Sequence, residues 1–198
     1  MTAPKRPYII ICEGNSEYAY IQKLNRFLVE NNYNFTLIAK IVGTGHYKSV
    51  QKKYLYEHKN NPKLPIKIWV DKDTYVRNDE GDRDNYEHKS STDFLFSIMN
   101  FEDFLALHTD EKTLENWFQI CSRKRHHISP MKEAEYLPLV KEHLFPNYTK
   151  GDIPFEITSE KLEQLFKQKN NPKYFFRCGF ADLLEELMKE SKKSSKSA

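Results

Sequence analysis

The sequence predicts an α/β fold: a mainly parallel sheet of about four strands flanked by helices, followed by a helical C-terminal half. Three observations carry this prediction. Short apolar runs alternate with helix-patterned stretches through the first hundred or so residues. The run around Ile10 is apolar throughout, and Ile66, Ile68, Trp69 and Val70 form a second, as buried strands do. Beyond about residue 110 the strand patterns stop and helical periodicity takes over.

The elements follow in order. Tyr8, Ile9, Ile10, Ile11 and Cys12 form the first strand, and Glu13-Gly14 ends it. Asn15 or Ser16 then supplies a helix N-cap, Glu17 suits the first turn, and Tyr20, Leu24, Phe27 and Leu28 share one helical face. Residues 35–42 form the second strand, broken by Gly43-Thr44-Gly45. A polar helix is expected over 46–58. It stops at Lys59-Asn60-Asn61-Pro62-Lys63, where Asn can take a left-handed cap and Pro bars continuation. The same five letters recur at 169–173 as a second use of that stop signal rather than as a repeat. The third strand, 67–70, leads into Asp71-Lys72-Asp73 and a polar loop containing Asp79, Glu80, Asp82 and Asp84. The fourth strand is 94–98, and Asn100-Phe101-Glu102 opens a short helix ending at His108. Further helices are expected at 113–120, 132–144, 159–166 and 180–188, with a loop marked by Pro146, Gly151 and Pro154. The resulting organisation is a core over 1–110, a helical part over 111–190 packed on it, and a flexible Ser/Lys tail over 191–198.

Composition narrows the function classes. At 198 residues the chain can bury a real core. Hydrophobic residues make up 39% and charged residues 30%, with no apolar run of membrane-spanning length and no apolar leader. Cys12, Cys121 and Cys178 are widely spaced, which excludes a disulfide scaffold or zinc site and predicts reduced thiols in the cytoplasm. The net charge of +3 equals the contribution of Lys192, Lys193 and Lys196 alone, so it does not argue for nucleic-acid binding.

The chemistry concentrates at two strand ends. In open α/β sheets ligands bind outside the carboxyl ends of the strands. Glu13 follows the first strand and Asp71 and Asp73 follow the third. Two residues apart on a strand, Asp71 and Asp73 would face the same way and share one ion, with Glu13 completing the set. Mg²⁺ suits such a site, since it takes few carboxylates and keeps water and substrate oxygens. Solvated turn acids are the plainer explanation for either motif alone. Arg123, Lys124 and Arg125, with His126 and His127, form the densest internal basic cluster. They can contact nucleic-acid phosphates or simply complement a helix C-terminus. Tyr174, Phe175 and Phe176 can stack on bases or pack in the core, and packing is the better reading. His108, at the end of an apolar helix, reads as a packed and hydrogen-bonded residue.

Taken together, strand–Glu-Gly–helix and strand–Asp-x-Asp resemble the Toprim domain of topoisomerases, bacterial primases, recombination-mediator proteins and overcoming-lysogenization-defect nucleases. Three stretches resemble the small RloB-like Toprim proteins in particular. "ICEGNSEYAYI" is similar to their opening cEG-x-TE-x-x-Y. "SIMNFEDFLALH" is similar to SNP-x-FE-x-W-x-x-LH, keeping Asn100, Phe101, Glu102, Leu107 and His108. "PNYTKGD" is similar to their Y-x-K segment, with Tyr148 and Lys150. The resemblance spans residues 8–152 and departs at Ser16 (usually Thr), at Ile98-Met99 (around the usual Asn-Pro) and at Phe104 (usually Trp). It implies a metal-dependent nuclease linked to anti-phage defence. Glu13, Asp71 and Asp73 would then hold Mg²⁺ or Mn²⁺, Glu17 and Glu102 would hold a second ion, and Lys150 would stabilise the transition state. The implied substrate is DNA or RNA, tRNA included.

Two rival motifs are weaker. "DKDTYV" nearly matches a haloacid-dehalogenase-like phosphatase opening, but position 75 is Tyr and Glu13-Gly14 is left unused. "GTGHYKS" lacks the spacing of a phosphate-binding P-loop, so any ATPase working with this chain would be a separate partner protein. A non-catalytic Toprim-like module that binds nucleic acid or a partner is the alternative from a different functional class.

Overall fold

The computed structural model describes residues 5–73 and 80–196, with side chains described in 5–73 and 83–193. In chain order the elements are β1 (Arg6–Cys12), α1 (Asn15–Glu30), β2 (Phe35–Ile41), α2 (Tyr47–Asn60), β3 (Ile66–Asp71), α3 (Glu80–Lys89), β4 (Phe94–Ile98), α4 (Phe101–Ala106), α5 (Glu111–Arg123), α6 (Glu133–His143), α7 (Ser159–Gln168), β5 (Arg177–Cys178) and α8 (Gly179–Lys196). The sheet order is β2-β1-β3-β4-β5. The first four strands are parallel, and β5 pairs antiparallel with β4 through Ser97–Cys178 and Ile98–Arg177.

β1 shows why the sheet forms. Ile9, Ile10, Ile11 and Cys12 are all buried, because helices cover both faces. Alternate side chains enter different cores. Ile10 and Cys12 join Tyr20, Trp69, Trp117 and Phe180 on one side, while Ile9 and Ile11 join Tyr47, Val50, Tyr86 and Phe94 on the other. The larger core is closed by α8, where Phe180 stacks on Trp69 at 4.0 Å between ring centroids. The helical half shares this core through Trp117, Tyr148 and Leu165. Lys23 on α1 fastens to it, donating to Ile153 O (3.0 Å) and Glu156 (2.8 Å).

β1 precedes β2 on one side, and the α2 crossover then returns the chain to β3 on the other. The order therefore reverses between β1 and β3, which is where open α/β sheets form their ligand crevice. Glu13 and Asp71 stand at this point.

Several expectations are corrected. The sheet has five strands, not four; β5 spans two residues and leaves no periodic trace in sequence. The segment expected to be a polar loop contains α3, held by buried Tyr86, whose ring packs on Tyr47 (5.2 Å) and Phe94 (5.9 Å). Asp79 lies outside the described residues, as do the side chains of Glu80 and Asp82. The cap of α1 is Gly14, not Asn15 or Ser16, and Asn61 ends α2 at φ −132°, outside the left-handed region. The helix α8 continues to Lys196 through part of the expected tail, because Ser191 is buried and its Oγ accepts from the Asn34 N–H at 2.9 Å. No helix among the described residues is long and apolar enough to cross a membrane.

Candidate functional site

Glu13 leaves β1 with its N–H on Trp69 O of β3 (3.2 Å), and its carboxylate accepts the Asp71 N–H (3.1 Å). Its own carbonyl accepts the Gly43 N–H at 2.9 Å, tying the β2–α2 turn to the same point. Glu17, one turn into α1, accepts the Gly14 N–H at 3.0 Å. That bond caps the helix and also draws a carboxylate into the interior, where Glu17 is 4% exposed. The strand β3 ends at Asp71, so the strand-period argument for Asp73 does not apply. Asp73 reaches the site from the residues beyond the strand, with its N–H on Met99 O at 2.9 Å. Glu102, in the first turn of α4, is buried and accepts from Tyr148 Oη at 2.9 Å.

These side chains line one cleft of about 290 Å³. Glu13, Glu17, Asp71, Asp73, Glu102 and Lys150 all face it. Lys150 sits on the rim opposite α6 and pairs with Glu133 at 2.7 Å. Thus every residue expected to bind metal or act in catalysis lines the same cavity.

Charge crowding dominates its electrostatics. Burial, then the neighbouring Glu13 and Glu102, push the Glu17 carboxyl up to about 8. Asp71 is held well above the usual carboxylate range by burial and by the fields of Glu17, Glu13, Asp73 and Glu102. Burial also raises Glu102, against the opposing hydrogen bond from Tyr148. For Lys150, burial works downward, but the Glu133 bond and the fields of Glu102 and Asp71 outweigh it and raise the ammonium pKa. Asp71 Oδ1 is buried with no hydrogen-bond partner. Acids that hold protons because they cannot all ionise together, and one carboxylate oxygen without a donor, fit a site that exchanges protons for a divalent cation.

The cleft acids surround a volume rather than closing on a point. Among the described residues, the trio with ligand atoms all within 4.8 Å of one another is Asp84, Glu87 and His88, exposed on α3 and outside the cleft lining.

Sequence reasoning missed the support behind the cleft. Asp103 is completely buried and accepts from Trp117 Nε1 (2.9 Å), Tyr136 Oη (3.0 Å), Met99 N (2.9 Å) and His126 Nε2 (3.0 Å). His126 Nδ1 accepts the Met131 N–H at 3.0 Å, which assigns the proton to Nε2. His126 is therefore a buried strut, not a member of the basic cluster. Its place beside three cations in sequence conceals this. Arg123, Lys124 and Arg125 are exposed at the end of α5 and lie outside the cleft. Lys124 pairs with Glu135 at 2.6 Å, and Lys124 and Arg125 border a neighbouring groove that shares Met131 with the cleft. Tyr174 and Phe176 are buried, as the packing reading holds. His108 bonds Tyr20 Oη at 2.8 Å, and burial drops its pKa to about 3.

Fold and site thus define an α/β protein with an acid-lined crevice at the switch point of a mostly parallel sheet. No family model, no curated protein and no solved structure matches the chain.

Proposed function

We propose that this chain is a Toprim-like, RloB-like nuclease that cleaves nucleic-acid phosphodiester bonds with Mg²⁺ or Mn²⁺. The observation that carries the reading is the convergence of five carboxylates and Lys150 in one cleft at the sheet's switch point. Bound there, one or two divalent ions would polarise the phosphate and lower the pKa of an attacking water. Glu13, Asp71 and Asp73 would hold the first ion, and Glu17 and Glu102 the second. Glu17 and Asp71, whose carboxyls burial and neighbouring acids raise, would hold the ions as carboxylates and so would release their protons. Tyr148 Oη orients Glu102 throughout. Lys150 leaves Glu133 and turns to the phosphate, where its charge offsets the negative charge that builds in the transition state. The same reading makes the protein a cytoplasmic effector of anti-phage defence; an ATPase working with it would be a separate protein.

The test is a panel of plasmid DNA, single-stranded DNA, tRNA and total RNA, with Mg²⁺ or Mn²⁺, with and without cell extract. Cleavage is expected for at least one substrate and is abolished in Asp71→Asn and Asp73→Ala. Cleavage that persists in both variants, or no cleavage under any condition, overturns the reading.

A further inference from the structure

On the opposite face of the sheet from α1, the helices α2 and α3 enclose a shallow groove of about 370 Å³. Its floor is apolar, formed by Tyr47 and by Leu55, which is 58% exposed. Its polar lining consists of Lys48, Lys52 and Lys89 with the amides of Gln51 and Asn85. Among the described residues no carboxylate borders it. This is unusual in a chain whose acids and bases nearly balance. Lys48, Lys52 and Lys89 have no ion-pair partner among the described residues, whereas Lys53 on the same helix is paired with Glu57 at 3.0 Å. Three such ammonium groups held around one groove repel one another, and an anion would relieve that repulsion.

The groove is built rather than incidental. Tyr47 Oη donates to Lys89 O at 3.0 Å, and Tyr86 Oη donates to Gly45 O, so the start of α2 is stitched to the last turn of α3. Helix spacing sets the row: residues 48, 51, 52 and 55 of α2 fall on one face, and 85 and 89 of α3 on the facing one. The turn leading into α2 is bonded to the strand end that carries Glu13, Gly43 N–H donating to Glu13 O at 2.9 Å.

We propose that this groove is a nucleic-acid backbone track, which binds the phosphates of the strand outside the cleft. The proposal rests on the nuclease reading for the identity of the polyanion. Lysines and amides contact phosphate without reading sequence, so the track adds affinity and orientation but no base specificity. Leu55, 58% exposed, and Tyr47 give the sugars and bases an apolar surface to lie on.

The test is fluorescence anisotropy of a labelled 30-nucleotide single strand and of a labelled 30-base-pair duplex, in EDTA, from low to moderate salt. Excluding metal separates binding from cleavage, so a failure of the nuclease reading leaves this measurement intact. Lys48→Gln/Lys52→Gln/Lys89→Gln is expected to flatten the dependence of log affinity on log salt by about 2 to 3, since each neutralised phosphate contributes ~0.7 to ~0.9 to that slope. Binding near 0.1 M salt falls by roughly tenfold or more, equally for unrelated sequences. Circular dichroism of the triple variant, whose changed side chains point to solvent, checks that the fold is retained. Arg123→Gln/Lys124→Gln/Arg125→Gln serves as a charge-matched control and is expected to change the slope less. An unchanged slope in the groove variant, an equal change in the control, or no binding by wild type overturns the proposal.

Discussion

Replacing Glu17 by Gln separates the hydrogen-bonding role of this side chain from its charge. The amide oxygen can still accept the Gly14 N–H now bound at 3.0 Å, so the cap of α1 survives. What disappears is an ionisable group whose pKa moves from 4.5 to about 8 on folding. A buried acid with a raised pKa stabilises the native state fully below its unfolded pKa, and that contribution is lost as pH rises towards the folded value. One proton is worth about 1.4 kcal/mol per pH unit within that window. Between pH 5 and pH 8, with partial titration at both ends, the wild type loses about 3 kcal/mol that the variant keeps. For a chain of this size that is roughly 6–12 °C in Tm. The assay is thermal melting of both proteins in EDTA at closely spaced pH values, followed by circular dichroism. The melting temperatures should be close at pH 5 and diverge in favour of Glu17→Gln up to pH 8. Taking the difference at each pH cancels the groups that do not feel Glu17; Asp71, relieved of that field in the variant, shifts in the same sense and widens the gap. A difference that stays flat over this range would refute the argument that Glu17 is a strained, protonated acid.

Other expectations follow from the same cleft. Millimolar Mn²⁺ should raise the Tm of the wild type, and more at pH 8 than at pH 5.5, because binding must displace protons from Glu17 and Asp71. Asp71→Asn should lose most of that gain, as differential scanning fluorimetry would reveal. Lys150→Ala should slow cleavage ~10²-fold or more with little change in Tm, since its pair with Glu133 is solvent-exposed; initial rates at saturating substrate measure this. Asp103→Ala should cost more than about 3 kcal/mol in urea denaturation, because the Trp117, His126 and Met99 donors lose their acceptor, while Tyr136 keeps Asn100 Oδ1 at 2.6 Å.

The residues that can be read from sequence are those whose role depends on local order. The bounds of β4 are legible because its apolar run ends just before Asn100, which caps α4 by accepting the Asp103 N–H at 3.4 Å. Glu13 and Asp71 can be paired because each follows an apolar strand. Long-range partners are not legible. β5 is defined by pairing with a strand some eighty residues earlier. Asp103 draws its donors from three later segments, and its sequence neighbours carry no mark of this. Glu17 is identifiable as a helix-capping acid, but its burial in a cleft shared with Asp71 and Glu102 comes from segments far along the chain. In α3 one aromatic side chain supplies the anchor, too sparse a pattern to separate a helix from a polar loop.

The stacking of Trp69 on Phe180 has a consequence for how the molecule comes into being. All five cleft acids are made by residue 102, yet the ring that backs the central strand sits more than a hundred residues from its partner. Tyr148, which holds Glu102, and Lys150 also arrive late. Contacts this far apart in sequence form only after a large loop has been closed, at an entropic cost. During synthesis the five carboxylates therefore precede the side chains that brace them: Glu102 is made 46 residues before Tyr148, and Trp69 well before Phe180. A nascent chain that stops short of Phe180 carries the acids without the contacts that steady the elements bearing them.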